Sequence, residues 1–145
     1  MLEVGREEMM SMMEALVQGA AYPAVYICSP YAGDTEANVQ RAIEHCRFAV
    51  AEGFMPVASH LLYPQILRDS DAVQRALGLA FGIQLLYGCM EVWVFADDDR
   101  GISAGMRQEI AIAKQRQMRV RYFTLDHRER DEVGCDGKEG LCEGD

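Results

Sequence analysis

The sequence predicts one open α/β domain, a parallel sheet of about four to five strands with helices on both faces. Three observations carry that expectation. Short apolar runs, Ala24–Cys28, Phe54–Ala58, Glu91–Ala96 and Arg119–Leu125, alternate with longer segments whose apolar residues recur at helical spacing. Ala24–Cys28 and Glu91–Ala96 are apolar almost throughout rather than alternating, as in strands buried on both faces. The chain has 145 residues, half of them hydrophobic, which suffices for a single well-packed core.

The elements follow in order. Met1–Ala21 is rich in Met and Glu, and Met9, Met10, Met12, Met13, Leu16 and Val17 form a loose stripe. It reads as an amphipathic helix, an N-terminal unit over 1–22 that docks on the domain or on a neighbouring subunit. Pro23 ends it, and Ala24–Cys28 (AVYIC) is the first strand. Ser29–Asn38 (SPYAGDTEAN) is a loop opening a helix, with Asp34 as cap, Thr35–Glu52 as body and Gly53 closing it. Val39, Ala42, Ile43, Cys46, Ala49 and Val50 form its sheet-facing stripe, which leaves His45 for the surface or its boundary.

Phe54–Ala58 (FMPVA) is the second strand, and its Pro56 argues for an edge position or a strand end. Ser59–Asp69 reads as a loop with one helical turn. Ser70 then caps a helix over Asp71–Tyr87, ended by Gly88 and apolar nearly all round. Such a helix is central or buried against a second copy of the chain, so a homo-oligomer built on this helix is expected. Glu91–Ala96 (EVWVFA) is the central strand. Asp97–Lys114 gives a glycine-bearing loop and a helix capped by Ser103, and Arg119–Leu125 is the last strand. The α/β domain therefore spans 23–125, and 126–145 reads as an acidic, mobile tail. No internal repeat is present.

Charge and cysteine usage narrow the function. The net charge of −9 argues against a non-specific nucleic-acid surface. Residues 126–145 hold eight acids against Arg128, Arg130 and Lys138, a net −5 that leaves −4 for the rest. No apolar run approaches the ~18–20 residues of a membrane span, so no membrane partner is expected. Early acids (Glu3, Glu7, Glu8) and the lack of a basic start argue against a secretory signal. Five cysteines scattered through the chain suit reduced thiols in a cytoplasm better than a disulfide framework. Cys135 and Cys142 with His127 lack the tight spacing of a zinc site, so no metal is expected.

In open parallel sheets ligands bind beyond the carboxyl ends of the strands. Three loops leave those ends: Ser29–Asp34, Ser59–His60 and Asp97–Ser103. At the third, Ser103 caps the helix and Gly105 leaves its first N–H groups open to close approach by a phosphate or sugar. Glu109, four residues on, falls on the same helical face, about 6 Å further along the axis. The bland reading is a capped helix start whose acid answers the macrodipole. The chemical inventory favours more than that. There is no GxSxG elbow, GxxxxGK[ST] loop or GxGxxG fingerprint, and no cofactor is implied. His60, after the second strand, can bond a substrate hydroxyl or base. What remains is a carboxylate, hydroxyls and a tyrosine. A glutamate can attack an anomeric carbon directly, since negative charge stabilises an oxocarbenium-like transition state. Tyr26 shares a strand face with Cys28; if that face borders the pocket, its hydroxyl can hold Glu109.

Tyr26-Ile27-Cys28-Ser29-Pro30-Tyr31, followed by Asn38, and Ser103-x-Gly105-Met106-x-x-Glu109-x-x-x-Ala113 resemble the nucleoside 2-deoxyribosyltransferase-like superfamily, in its small bacterial and phage branch. The resemblance covers about Val25 to Phe123. It implies a Rossmann-like, usually oligomeric domain that cleaves or exchanges the N-glycosidic bond of a nucleoside or nucleoside 5′-monophosphate. It implies Glu109 as the nucleophile that forms a glycosyl-enzyme, and Tyr26 as the residue that orients it. Ser103 and Gly105, with Met106 beside them, match positions contacting the sugar 5′ end or its phosphate. Ser29, Tyr31 and Gly33 match the loop that walls base and sugar, and Pro30, Asp34 and Asn38 are expected to bind substrate with them. The family's Asp-Ser-Gly before the helix is replaced by Gly101-Ile102-Ser103-Ala104-Gly105, and the proton donor to the departing base is open among Asp34, Asp97 and His60.

Two readings compete with catalysis. A nucleotide-binding or sensing module of the same fold would keep Ser103 and Gly105 but would not depend on Glu109. A flavodoxin-like FMN protein is suggested by the Ser29–Thr35 loop. That loop is one residue long for the pattern, and Trp93 sits in a strand rather than where it would stack on a flavin.

Overall fold

Tyr26 and Cys28 point to one side of their strand and Val25 and Ile27 to the other, and all four are buried, so this strand must be covered on both faces. The computed structural model, which describes residues 4–19 and 22–132, provides both covers. The strands are β1 (Ala24–Cys28), β2 (Met55–Val57), β3 (Glu91–Phe95), β4 (Arg119–Phe123) and β5 (Glu129–Arg130). The helices are α1 (Arg6–Val17), α2 (Thr35–Ala51), α3 (Ala72–Tyr87) and α4 (Ala104–Gln115). The sheet order is β2-β1-β3-β4-β5, with the first four strands parallel and β5 antiparallel to β4. This is a single Rossmann-like α/β domain, as the alternation of apolar runs predicts.

Each face of the sheet has its own core. Tyr26, Cys28, Val92, Val94 and Tyr122 pack under α3 and α4 with Leu86, Met106, Ile110 and Ala113. Val25, Ile27, Trp93, Phe95 and Phe123 pack with Ala49, Cys46 and Phe48 of α2. The chain runs from β1 outward to β2 and then returns to β3 on the other flank of β1. The winding therefore reverses between β1 and β3, and a crevice opens beyond their carboxyl ends.

Local signals set the element ends. Asp34 caps α2 by accepting from the Ala37 N–H, and Gly53 adopts φ +90° just past Glu52, a left-handed turn that glycine enters without strain. β2 is an edge strand, which tolerates the missing N–H of Pro56. The cap of α3 is Asp71 rather than Ser70: its carboxylate accepts from Val73 and Gln74, and an acid also answers the helix dipole. Ser59–Asp69 contains two short 3₁₀ turns, Ser59–Leu61 and Tyr63–Gln65. No residue of α1 is buried, so this helix does not bury its stripe against the domain.

Two further expectations need correction. His45 is not at the surface but 1 % exposed, stacked on Phe95 at 4.0 Å and bonded through Nδ1 to Nε2 of His127 at 2.7 Å. The segment from residue 126 is not all tail, because Glu129–Arg130 pair with Tyr122 and Phe123. The Thr124–Arg128 turn closes on backbone bonds, and Arg121 grips Glu129 with two bonds of 2.8 and 2.9 Å. A composition count cannot see a strand made by its partner. Residues 133–145, with the rest of the tail assignment and Cys135 and Cys142, lie outside the described residues. Among the described residues, no helix is long and apolar enough to cross a membrane.

Candidate functional site

The crevice is a cavity of about 500 Å³, within the range of small-molecule sites. The loop after β1, the turn after β2 and the start of α4 line it, as the strand-end argument predicts, and α3 forms one further wall. Tyr31, His60, Ser103, Gly105, Met106 and Glu109 border it. Tyr26 lies directly beneath, fully buried.

Glu109 owes its position to helical spacing. α4 packs Met106, Ile110 and Ala113 onto β1, β3 and β4, which turns Glu109 toward the rim of the sheet. There the Tyr26 hydroxyl donates a hydrogen bond to its Oε2. The Cys28 thiol lies 3.5 Å from Oε1 on the same side. Burial raises the carboxyl above its ordinary range, and the Tyr26 and Cys28 bonds pull it back in part. Burial and then the Glu109 charge push the Tyr26 phenol far up, so it remains a donor at any physiological pH. The Cys28 thiol is likewise pushed up, by burial first and by Glu109 second. The result is a partly desolvated carboxylate on a cavity wall, with two neutral donors behind it.

The start of α4 is built as its sequence predicts. Ser103 Oγ accepts from the Met106 N–H at 3.2 Å. A side chain built on Gly105 would meet nothing nearer than Ser103 Oγ at 3.9 Å, so the first turn is open on that side. The loop after β1 is held from behind, since the Asn38 amide donates to the carbonyls of Tyr31 and Ala32 at 3.1 and 3.0 Å. Gly33 in this loop has φ +98°, which explains a glycine there. Tyr31 and His60 stack at 5.2 Å between centroids. Burial lowers the His60 pKa, so its ring is neutral at pH 7.

The other expected residues are in different places. Asp34 is an exposed helix cap, and Ser29 is buried behind the loop; neither borders the cavity, nor do Pro30 and Gly33. Asn38 acts on the loop rather than on the cavity. Asp97 is exposed, and its carboxylate accepts from the Leu125 N–H. Of the three candidate proton donors, only His60 borders the cavity.

Several lining residues were not legible in the sequence. Ser59 is buried, and its Oγ is 2.8 Å from the Tyr26 hydroxyl. Gly78, Leu79, Gly82 and Ile83 of α3, with Tyr63 and Leu67 from the turns before it, form the apolar wall. Gln74, Arg75 and Arg68 lie at the far end. The available signal was the pair of glycines four apart in α3, which lay one bare strip along a helix face. Among the described residues, no cluster of three or more His, Cys, Asp or Glu could hold a metal ion.

Residues 23–123 match the model of a family described as Domain of unknown function (DUF7768). No curated protein matches the chain.

Proposed function

Because the chain belongs to the DUF7768 family, whose description assigns no activity, we propose its function from its own cavity: cleavage or transfer at the N-glycosidic bond of a nucleoside or nucleoside 5′-monophosphate. The observation that carries this is the Glu109 carboxylate on the cavity wall, braced by Tyr26 and desolvated. An anion held there can attack C1′ of a sugar as its bond to the base breaks, and it stabilises the oxocarbenium character of the transition state. The bond electrons leave with the base, which takes up a proton. We assign to His60 the hydrogen bond to that departing base, with Tyr31 stacked beside it. Water then releases the sugar from Glu109, or a second base takes it in transfer. At the open first turn of α4, the Ala104 and Gly105 N–H groups suit the sugar 5′ end or a phosphate, since the Met106 N–H is already given to Ser103 Oγ and the Ser103 N–H to Met106 Sδ.

The outer face of α3 supports a homo-oligomer. Val73, Leu77 and Tyr87 are 69 %, 42 % and 47 % exposed in the single chain, an apolar surface suited to a second copy. Cys28, Cys46 and Cys89 are free thiols, which suits the reducing cytoplasm.

The test is incubation with a panel of nucleosides, deoxynucleosides and their monophosphates, with and without an acceptor base. Released base marks hydrolysis and exchanged base marks transfer. Glu109→Gln, which keeps the shape and removes the nucleophile, should lower kcat by at least about 10³-fold. Full activity in that variant would rule out Glu109 as nucleophile. The second reading, a nucleotide-binding module, is favoured by the same open helix start. It would show as a nucleotide-dependent rise in Tm with no turnover of any compound.

A further inference from the structure

Glu109 is held by Tyr26, and Tyr26 in turn is held by a residue with no part in the reading above. Ser59 lies two residues past Val57, which pairs with Tyr26 across β2 and β1. The turn that begins there carries Ser59 onto the face where Tyr26 and Cys28 sit. Its Oγ is 2.8 Å from the Tyr26 hydroxyl, and it is buried. Gly82 of α3 closes the pair from outside. A Cβ added there would stand 3.4 Å from Ser59 Oγ and 3.7 Å from the Tyr26 oxygen.

Proton counting fixes the direction of the chain. An ionised carboxylate only accepts, so the single Tyr26 proton goes to Glu109. The bond between the two hydroxyls must then be donated by Ser59 and accepted by the Tyr26 oxygen. A phenol that accepts one hydrogen bond is polarised into a stronger donor of its own. We propose that Ser59 is a positioning residue for Glu109, acting through Tyr26: it commits the Tyr26 proton to the carboxylate and so keeps Glu109 ionised and aimed at the cavity. Cys28 holds the other carboxylate oxygen from the same strand. Other titratable groups on this cavity are Tyr31, His60, Tyr63, Asp69, Arg68 and Arg75, none of which bonds the carboxylate.

The proposal's catalytic value rests on the glycosidic reading, but its physical content does not, so the test reads ionisation directly. The Glu109 carboxyl is followed by NMR in ¹³C-glutamate-labelled protein, its signal assigned by loss in Glu109→Gln. Ser59→Ala should raise the titration midpoint by about one pH unit, a tenfold weaker hold on the ionised form. Ser59→Thr, which keeps the hydroxyl, should restore it, and the near-isosteric Ser59→Cys should fall between. In a Tyr26→Phe background, itself raised, Ser59→Ala should add nothing, because the bond runs through the missing oxygen. An unchanged midpoint in the Ala and Cys variants overturns the proposal, as does an equal shift in the Phe background. If the titrations behave as expected while no nucleoside is turned over, the relay stands and the glycosidic reading falls. With turnover, the acid limb of kcat/KM should move with the NMR midpoint of the free protein.

Discussion

Glu109 sits where its charge is costly to the fold, and that cost has a sign that can be checked. Burial raises its carboxyl above the ordinary value near 4.3. The folded state therefore disfavours the charge that the unfolded chain carries freely in water. The penalty is complete above the folded pKa and is relieved as pH falls below the ordinary value. Glu109→Gln should accordingly melt above the parent at neutral pH, and the gap should close by about pH 4 in a series of thermal melts. In the proposed reaction the reacting form of Glu109 is the anion, so kcat/KM should fall as pH drops through a value higher than that of a free glutamate. Tyr26 and Cys28 moderate this, since both donate to the ionised form. A stability gain from removing a buried acid is what a functional charge predicts.

At the scale of elements, the β4–β5 turn is held onto α2 by two histidines. His45 on α2 bonds His127 in the turn, and each ring stacks on a phenylalanine, His45 on Phe95 and His127 on Phe48. Burial, then the neighbouring His127 and Arg41, lower the His45 pKa to about 3. Burial also lowers the His127 pKa, against the pull of Glu44 and Asp126. Groups with depressed histidine pKa values stabilise the fold above the unfolded value near 6.5, and that contribution is lost as pH falls below it. Melting temperature should therefore drop between pH 7 and pH 5, and amide exchange should rise first in Thr124–Arg130. His45→Phe keeps the stack on Phe95 and removes one titrating group, so its melts should depend less on pH over that range. Equal pH dependence in variant and parent would show that the pair does not hold the turn.

For the whole molecule, the arrangement of α3 joins the cavity to the outside. Its inner face, Gly78, Gly82 and Ile83, walls the cavity, and its outer face leaves Val73 and Leu77 in water. Leu79 does both, bordering the cavity while 59 % exposed. A second copy on this face would cover apolar surface and narrow the cavity mouth together. Light scattering after size exclusion should give a mass of at least two chains. Leu77→Glu combined with Val73→Glu should shift it toward one chain, since each would place a charge in the proposed interface. Activity per chain should fall with the mass.

The sequence determined the order of elements from α1 to β4, the parallel core strands and the cap of α4, and it restricted β2 to an edge or a strand end, because each follows from local periodicity, a proline or a capping side chain. It also placed Glu109 on the face of Gly105, through the helical repeat alone. The direction of Tyr26 followed from alternation along β1, but which flank α3 and α4 would cover did not. Only the tertiary structure decided that Ser59 meets Tyr26 across 33 residues of sequence, that His45 is buried against His127, and that α3 is a cavity wall. Those facts depend on crossovers and register between distant segments. No spacing in a single segment encodes which distant side chain will complete its hydrogen bond.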